Sequence, residues 1–313
     1  MRAALLAWAR SHGYVVAWGP IAAVDHAQHA LQERQQQGEF DADFARENLT
    51  FTLQRPADAT PDWRVVVVAM PRPAHQATFT VDGQPVNALL PPTYVRYRAV
   101  FPEIRDELAA CLASRVDLID APLKALATHL GLVRYGRNNL TYAPGIGSYL
   151  QLVACVTDAP LPVPADWTPH EPRLLDLCEA CGECEAACPT GAVGSDRVLL
   201  HAERCLTLAN EATAAFPAWL PSSAHHCLIG CLLCQRACPE NPRLPVQDTG
   251  TIFTSEETAA LLAGASDSAG PTREAMRSKL DRLGLSDDTV IGRNLRAMLR
   301  AGNAGPAAMG VGP

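Results

Sequence analysis

Residues 178–190 read CEACGECEAACPT, which places four cysteines within eleven positions and a proline directly after the last one. The spacing is C-x2-C-x2-C-x3-C-P, with thiols at Cys178, Cys181, Cys184 and Cys188. Three thiolates so close together can hold three corners of one cubane iron–sulfur cluster, while the fourth reaches a second cluster. The stretch therefore predicts an iron–sulfur segment with crossed ligation.

A second cysteine group follows in the stretch GCLLCQRACPEN, residues 230–241. It repeats the C-x2-C-x3-C-P ending, but Leu228 stands where the first cysteine of a full run would fall. Cys205 can supply the missing ligand, which leaves Cys227 as a spare thiol. One cluster is then predicted to take Cys178, Cys181, Cys184 and Cys238, and the other Cys188, Cys205, Cys231 and Cys234. Zinc is the alternative, because sites of four cysteines also hold that metal.

The cysteine count bears on the redox compartment. The chain has 313 residues and eleven cysteines, nine of them between Cys178 and Cys238, and the odd number excludes a fully paired disulfide framework. Cys111 and Cys155 lie in apolar patterns and are predicted to be buried small hydrophobes. We identify no signal sequence and no apolar run long enough to span a membrane, so we expect a cytoplasmic protein. The net charge of −7 argues against a general affinity for nucleic acid.

Helical and extended patterns alternate on the N-terminal side of the cysteines. WRVVVVAM (63–70) is typical of a strand buried on both faces, and residues 13–18 and 148–158 also favour strands. We predict an α+β protein with three parts: an α/β domain over residues 1–165, a ferredoxin-like double [4Fe-4S] domain over 166–245, and a short helical C-terminal region over 246–313 that ends in a flexible tail.

The segment GLVRYGRNNLTYAPGIGSYLQLVACVTDAPL (131–161), followed by the two cysteine groups, resembles the epoxyqueuosine reductases and, more distantly, the reductive dehalogenases. The resemblance implies a nitroreductase-like N-terminal domain that holds a base-off cobalamin, and two [4Fe-4S] clusters that pass it single electrons. It also implies an oxidoreductase that receives electrons from reduced ferredoxin or flavodoxin. The substrate would be a small molecule or tRNA.

Site residues follow from the loop and from the resemblance. Side chains and glycines in the loop suit the amide arms and phosphate of a corrinoid, and they equally suit a tight turn between helix and strand with surface arginines. The resemblance favours the cofactor site. The predicted cofactor-binding residues are Arg134, Tyr135, Arg137, Asn138, Gly147, Ser148 and Tyr149. The family also has a proton-donating aspartate. Counting back from Gly131 without gaps places Asp117 at its position, whereas an Asp-Ala-Pro sequence occurs at Asp120, so either could be the acid. We prefer Asp117, because Asp120 is also suited to capping a helix.

Two further possibilities stay open at this stage. The chain could be an electron-transfer or activator protein without its own corrinoid, which cobalamin binding would distinguish. It could also be a true tRNA epoxyqueuosine reductase, and the excess of lysine and arginine over acidic residues between 273 and 300 would then contact the RNA backbone. A solvated helical surface is the simpler interpretation of that excess.

Overall fold

The computed structural model describes residues 1–197, 199–264 and 270–302. The helices are α1 (Arg2–Ser11), α2 (Ala23–Gln36), α3 (Ala42–Asn48), α4 (Val100–Leu112), α5 (Leu123–His129), α6 (Glu183–Ala186), α7 (Leu206–Glu211), α8 (Leu233–Arg236), α9 (Ser255–Ala263), α10 (Pro271–Arg282) and α11 (Asp288–Arg300). The strands are β1 (Val15–Pro20), β2 (Arg64–Pro71), β3 (Ala74–Val81), β4 (Gln84–Leu90), β5 (Val116–Leu118), β6 (Arg134–Tyr135), β7 (Thr141–Tyr142), β8 (Leu150–Thr157) and β9 (Val246–Phe253).

A four-stranded sheet of order β1-β2-β8-β5 forms the centre of the N-terminal part. Adjacent strands in this sheet all run antiparallel. Val67 of β2 pairs with Ala17 of β1 on one side and with Ala154 of β8 on the other. The alternation of helices and strands predicted an α/β domain. The helices do cover the sheet, but they connect antiparallel strands rather than parallel ones.

Both faces of β2 are buried, as its run of β-branched residues predicts. Val65 and Val67 pack with Val24 of α2 and Leu126 of α5 on one face. Alternate residues of the same strand, among them Val66, point to the other face and pack with α1 and α4. The period-2 alternation of a strand thus divides one hydrophobic run between two helical layers.

A second sheet of order β4-β3-β9 was not predicted from the sequence. Strand β9 pairs in parallel with β3, and the rings of Phe79 and Phe253 stack with centroids 4.4 Å apart. The three predicted C-terminal helices, α9 to α11, pack around this pair. The C-terminal region is helical as predicted, and β9 fastens it to residues of the N-terminal part.

The α+β class is confirmed by these elements, and the boundaries of the three parts stay a prediction. The flexible tail was predicted for residues that lie outside the described ones, apart from its first residues. The predicted helix cap at Asp120 is wrong, because α5 begins after Pro122 without a side-chain cap. Among the described residues, no helix has the length and apolar character needed to cross a bilayer.

Candidate metal centre and adjoining cleft

The first predicted thiol group comes together in the fold. Burial raises the pKa of the Cys184 thiol, and the nearby thiolates of Cys178, Cys238 and Cys181 raise it further. Cys178 and Cys238 also pack in one small cluster of side chains with Tyr142. Residues 178–184 and Cys238 are therefore neighbours, although 54 positions separate the last two cysteines of the group in sequence.

The second predicted group comes together beside the first. Burial raises the pKa of Cys231 to about 12, and the thiolates of Cys205 and Cys188 contribute to the rise. The pKa of Cys234 is also raised, first by burial and then by Cys231, Cys205 and Cys188. The two short helices that carry the repeated motifs, α6 and α8, pack against each other. Each motif thus contributes thiols to both groups, as crossed ligation requires.

Peptide N–H groups point at the thiols of the second group. Burial opposes ionisation of Cys188, but backbone donors of Val193, Thr190 and Ala192 hold its pKa below the usual value. Backbone donors of Thr207 and Leu208 reach the Cys205 sulfur in the same way. Such donors stabilise thiolates, and hydrogen bonds to sulfur are typical of iron–sulfur sites. The donor set therefore fits an anionic cluster.

Cys227 packs among apolar side chains, although the Cys231 thiol of the second group is close enough to add to the rise in its pKa. It is 1% exposed and packs with Tyr149 and Leu232, and burial raises its pKa well above the usual value. Cys155 is fully buried as predicted, whereas Cys111 on α4 is only half-buried. Within the described ranges, no three His, Cys, Asp or Glu side chains are arranged to hold a single metal ion.

The predicted cofactor loop contacts the cysteine segment. Arg137 donates to the carbonyl of Cys178 at 2.9 Å, and Asn138 donates to the carbonyl of Cys234 at 3.3 Å. Arg134 forms an ion pair with Asp176 at 2.9 Å. These side chains fix the loop against the backbone that carries both thiol groups.

The glycine-rich end of the loop makes the same kind of contact. The Ser148 hydroxyl accepts from Nε2 of Gln235 at 3.1 Å and from Nδ2 of Asn241 at 2.9 Å. Gly147 has φ +73°, and a Cβ atom there would lie 2.4 Å from Oδ1 of Asn241. Tyr149 is buried beside Leu232. The absence of a side chain at Gly147 is thus what allows the two segments to approach.

A cleft of about 520 Å³ lies between the first sheet and the second thiol group. All four thiols of that group line it, namely Cys188, Cys205, Cys231 and Cys234. Of the seven predicted cofactor-binding residues, Asn138 and Ser148 line the cleft and the other five do not. A more open depression of about 910 Å³ runs along α10 and contains no thiol.

Three polar side chains in the cleft wall were missed by sequence reasoning. The Tyr94 hydroxyl donates to the Glu211 carboxylate, whose pKa is raised by burial. Gln151 donates to the carbonyl of Tyr97 at 3.1 Å, while its buried Oε1 has no hydrogen-bond partner. No motif signals these residues, because the fold brings them together from β8, α7 and the segment after β4.

The two predicted acids lie in different surroundings. Asp117 is on β5, where its carboxylate pairs with Arg115 at 2.7 Å. Asp120 accepts hydrogen bonds from the backbone N–H of Thr52 at 3.0 Å and from its hydroxyl at 3.1 Å. The charge of Asp120 also raises the pKa of Tyr97, a residue of the cleft wall, after the larger effect of burial. Neither aspartate lines the cleft itself.

The cysteine segment matches the family model described as a 4Fe-4S double cluster binding domain over residues 177–241. This match confirms the predicted double [4Fe-4S] domain. A curated epoxyqueuosine reductase from Bacillus subtilis is 30% identical over 128 residues, which cover 41% of this chain and 31% of that protein. The chain resembles the epoxyqueuosine reductases. The chain aligns with about a third of the length of this relative.

Solved epoxyqueuosine reductase structures share the fold over nearly the whole chain. One from Bacillus subtilis, with its catalytic loop swung out of the active site, superposes with a TM-score of 0.61 at 19% identity, covering 96% of this chain and 82% of that one. Another, with an epoxyqueuosine-modified tRNA stem loop, gives a TM-score of 0.58 at 18% identity, covering 96% and 81%. The predicted α+β fold is therefore confirmed.

The basic residues between 273 and 300 have internal partners in most cases. Arg273 and Arg277 each pair with Asp288 at 2.9 Å, and Lys279 pairs with Glu257. Arg293 donates to the carbonyl of Ala209 at 2.9 Å. These cations hold the C-terminal helices in place, so their excess does not by itself indicate an RNA surface.

Proposed function

We propose that the protein is an iron–sulfur oxidoreductase that reduces a substrate in the cleft beside its second thiol group. When bound, the clusters supply single-electron transfer. Cys178, Cys181, Cys184 and Cys238 would hold the first cluster, and Cys188, Cys205, Cys231 and Cys234 the second. The observation that supports the proposal most strongly is that all four thiols of the second group line the cleft. Reduced ferredoxin or flavodoxin is the proposed electron donor.

The cleft has features that suit a corrinoid. Its volume of about 520 Å³ lies in the range of small-molecule sites, so the cleft would enclose part of a cobalamin and leave the rest of the cofactor outside it. The unpartnered Oε1 of Gln151 can accept from an amide arm, whereas Ser148 and Asn138 shape the wall with side chains that are hydrogen-bonded within the protein. A bound cobalamin would supply the cobalt centre that performs the reduction. The protein residues would then orient the cofactor and exclude water from one of its faces.

A reduction also needs a proton for each electron delivered to the substrate, and a carboxylic acid can supply it. Asp117 is the sequence-based choice, but its ion pair with Arg115 keeps it engaged on β5. We propose Asp120 as the better-placed acid, because it lies near Tyr97 of the cleft wall. The Bacillus subtilis structure has its catalytic loop swung out of the active site, so an acid outside the cleft has a precedent there.

Titration with cobalamin under anaerobic reducing conditions tests this proposal without any substrate. Protein that carries intact clusters should bind cobalamin at micromolar concentration, and the visible spectrum of the cofactor should change on binding. Intact clusters without binding would instead favour an electron-transfer or activator protein that lacks its own corrinoid.

A true tRNA epoxyqueuosine reductase is the second candidate. It is supported by the similarity of this chain to the solved epoxyqueuosine reductase structure that contains an epoxyqueuosine-modified tRNA stem loop. An anaerobic assay on such a stem loop, with reductant and cobalamin present, decides between tRNA and another substrate. Conversion of the epoxide to the reduced nucleoside would establish the tRNA activity.

A further inference from the structure

Tyr142 is a buried tyrosine that contacts the first thiol group. It lies on β7, is 3% exposed, and packs with Leu175, Cys178 and Cys238. Burial raises the pKa of its phenol, and hydrogen bonding with the adjacent Cys238 raises it further. A phenol so deeply buried requires a polar partner, and a thiolate sulfur is an acceptor.

The hydroxyl hydrogen is directed to that sulfur by a second residue. Nδ2 of Asn138 donates to the Tyr142 oxygen at 2.9 Å, so that oxygen already acts as an acceptor. The orientation of the Asn138 amide is fixed, since its Oδ1 accepts from the backbone N–H of Leu140 at 3.3 Å. The Ser148 hydroxyl, which already accepts from Gln235 and Asn241, also hydrogen-bonds the phenol and acts as a second donor to its oxygen. The phenol hydrogen is therefore left to point at Cys238.

The ring of Tyr142 is held in place by the loop. A Cβ atom at Gly136 would lie 2.5 Å from Cε2 of Tyr142, so only glycine leaves room for the ring. Asn138, which orients the phenol, also donates to the carbonyl of Cys234 in the second group. A single pair of side chains thus reaches a ligand sulfur of one group and the backbone of the other.

We propose that Tyr142 is a positioning residue that donates its hydroxyl hydrogen to the Cys238 thiolate and thereby raises the reduction potential of the first cluster. A hydrogen bond to a cluster sulfur stabilises the reduced state, which carries one more negative charge, and hydrogen bonds to sulfur are among the determinants of these potentials. The inference rests on the proposed function only in needing the first thiol group to hold a cluster.

The test is an anaerobic redox titration of the full chain, followed by electron paramagnetic resonance, on wild type and Tyr142→Phe. The variant removes one oxygen and keeps the ring, so it should retain full iron and sulfide. We expect one of the two cluster potentials to shift to a more negative value while the other stays constant. Tyr14→Phe is the matched control, because Tyr14 is half-buried against the far helical layer and should leave both potentials unchanged.

Replacement of Tyr142 by 3-fluorotyrosine gives a second test, for which we expect a potential shift of the opposite sign. The fluorinated phenol is a stronger donor of the same shape, so the same potential should shift to a more positive value. Full iron with both potentials unchanged in either Tyr142 variant, or an equal shift in Tyr14→Phe, would overturn this inference alone. A wild-type protein that holds no cluster would overturn the proposed function as well, so the two failures are distinguishable.

Discussion

The Ser148 hydroxyl accepts a hydrogen bond from Nδ2 of Asn241 at 2.9 Å, and the backbone N–H of Ser148 donates to Oδ1 of the same side chain at 2.6 Å. Asn241 thus binds both the donor and the acceptor of the residue that leads into β8. This two-point contact ties the first sheet to the end of the second cysteine motif, and it places the second thiol group against the cleft.

Gly147→Ala should disrupt that contact. A Cβ atom there would lie 2.4 Å from Oδ1 of Asn241, and φ of +73° already disfavours a side chain. Gly145→Ala is the matched control, since Gly145 has φ +74° but nothing within 4 Å of the added Cβ. The shared backbone strain costs about 1 to 2 kcal/mol at each position. Displacing the amide of Asn241 should cost Gly147→Ala about 2 kcal/mol more, at about 1 kcal/mol for each lost hydrogen bond. Denaturant unfolding measures the difference, and equal losses in both variants would contradict the account.

Cys205 and Cys227 distinguish the ligands of the second cluster. Cys205 lines the cleft with three other thiols, whereas Cys227 is enclosed with Tyr149 and Leu232. We expect Cys205→Ala to lose about half of the iron and sulfide, because one of two clusters loses a ligand. Cys227→Ala should keep both clusters. Iron and sulfide analysis of anaerobically prepared variants measures this, and the reverse pattern would show that the second cluster is assigned wrongly.

Asp120→Asn and Asp117→Asn compare the two candidate acids. The asparagine keeps the size of the side chain but cannot deliver a proton. We expect Asp120→Asn to lose turnover with cluster content and cobalamin affinity unchanged. Asp117→Asn should retain most of the turnover, because Asp117 is engaged with Arg115. Rates on the substrate that the tRNA assay identifies decide between them, and loss confined to Asp117→Asn would restore the sequence-based choice.

Stability should depend on pH through the buried His129. Burial first, and the nearby His26 second, lower its pKa in the folded protein below the ordinary value of 6.5. The unfolded chain therefore binds the proton more tightly than the folded protein does. The stability that comes from keeping His129 neutral is fully present above pH 6.5 and is lost as the pH falls from there through the pKa of the folded state. The free energy of unfolding of the wild type should therefore decrease as the pH is lowered through this range.

The free energy of unfolding of His129→Gln should fall less steeply than that of the wild type between about pH 7.5 and about pH 5.5. His29→Gln serves as the control, because the His29 side chain is exposed on α2 and pairs with the exposed Glu33. Denaturant unfolding of cluster-loaded protein at each pH gives the slopes. Parallel curves for wild type and His129→Gln would remove His129 from the explanation.

The elements that the sequence predicts correctly are those whose pattern is local. The β-branched run of β2 predicts a strand buried on both faces because each residue contributes directly to a face. The pairing of Cys178 with Cys238 was also predictable, since the cysteine spacing is imposed by the size and geometry of a cluster.

The features that the sequence did not predict depend on distant contacts. The parallel pairing of β9 with β3 joins residues about 170 positions apart, and no local pattern specifies it. The hydrogen bond between Tyr94 and Glu211 likewise joins residues that lie far apart in the sequence. The loop around Asn138 is predicted to hold a cofactor, and this stays a prediction. Its hydrogen bonds to the cysteine segment were not predicted, because a polar loop next to a glycine gives no information about which partner it meets.

Determination of iron and acid-labile sulfide in anaerobically purified protein tests the central claim most directly. We expect about eight irons and about eight sulfides per chain, as two [4Fe-4S] clusters require, and a broad visible absorption that bleaches on reduction. Stoichiometric zinc without labile sulfide would contradict this expectation, because the eight assigned thiols would then form zinc sites with no capacity for electron transfer.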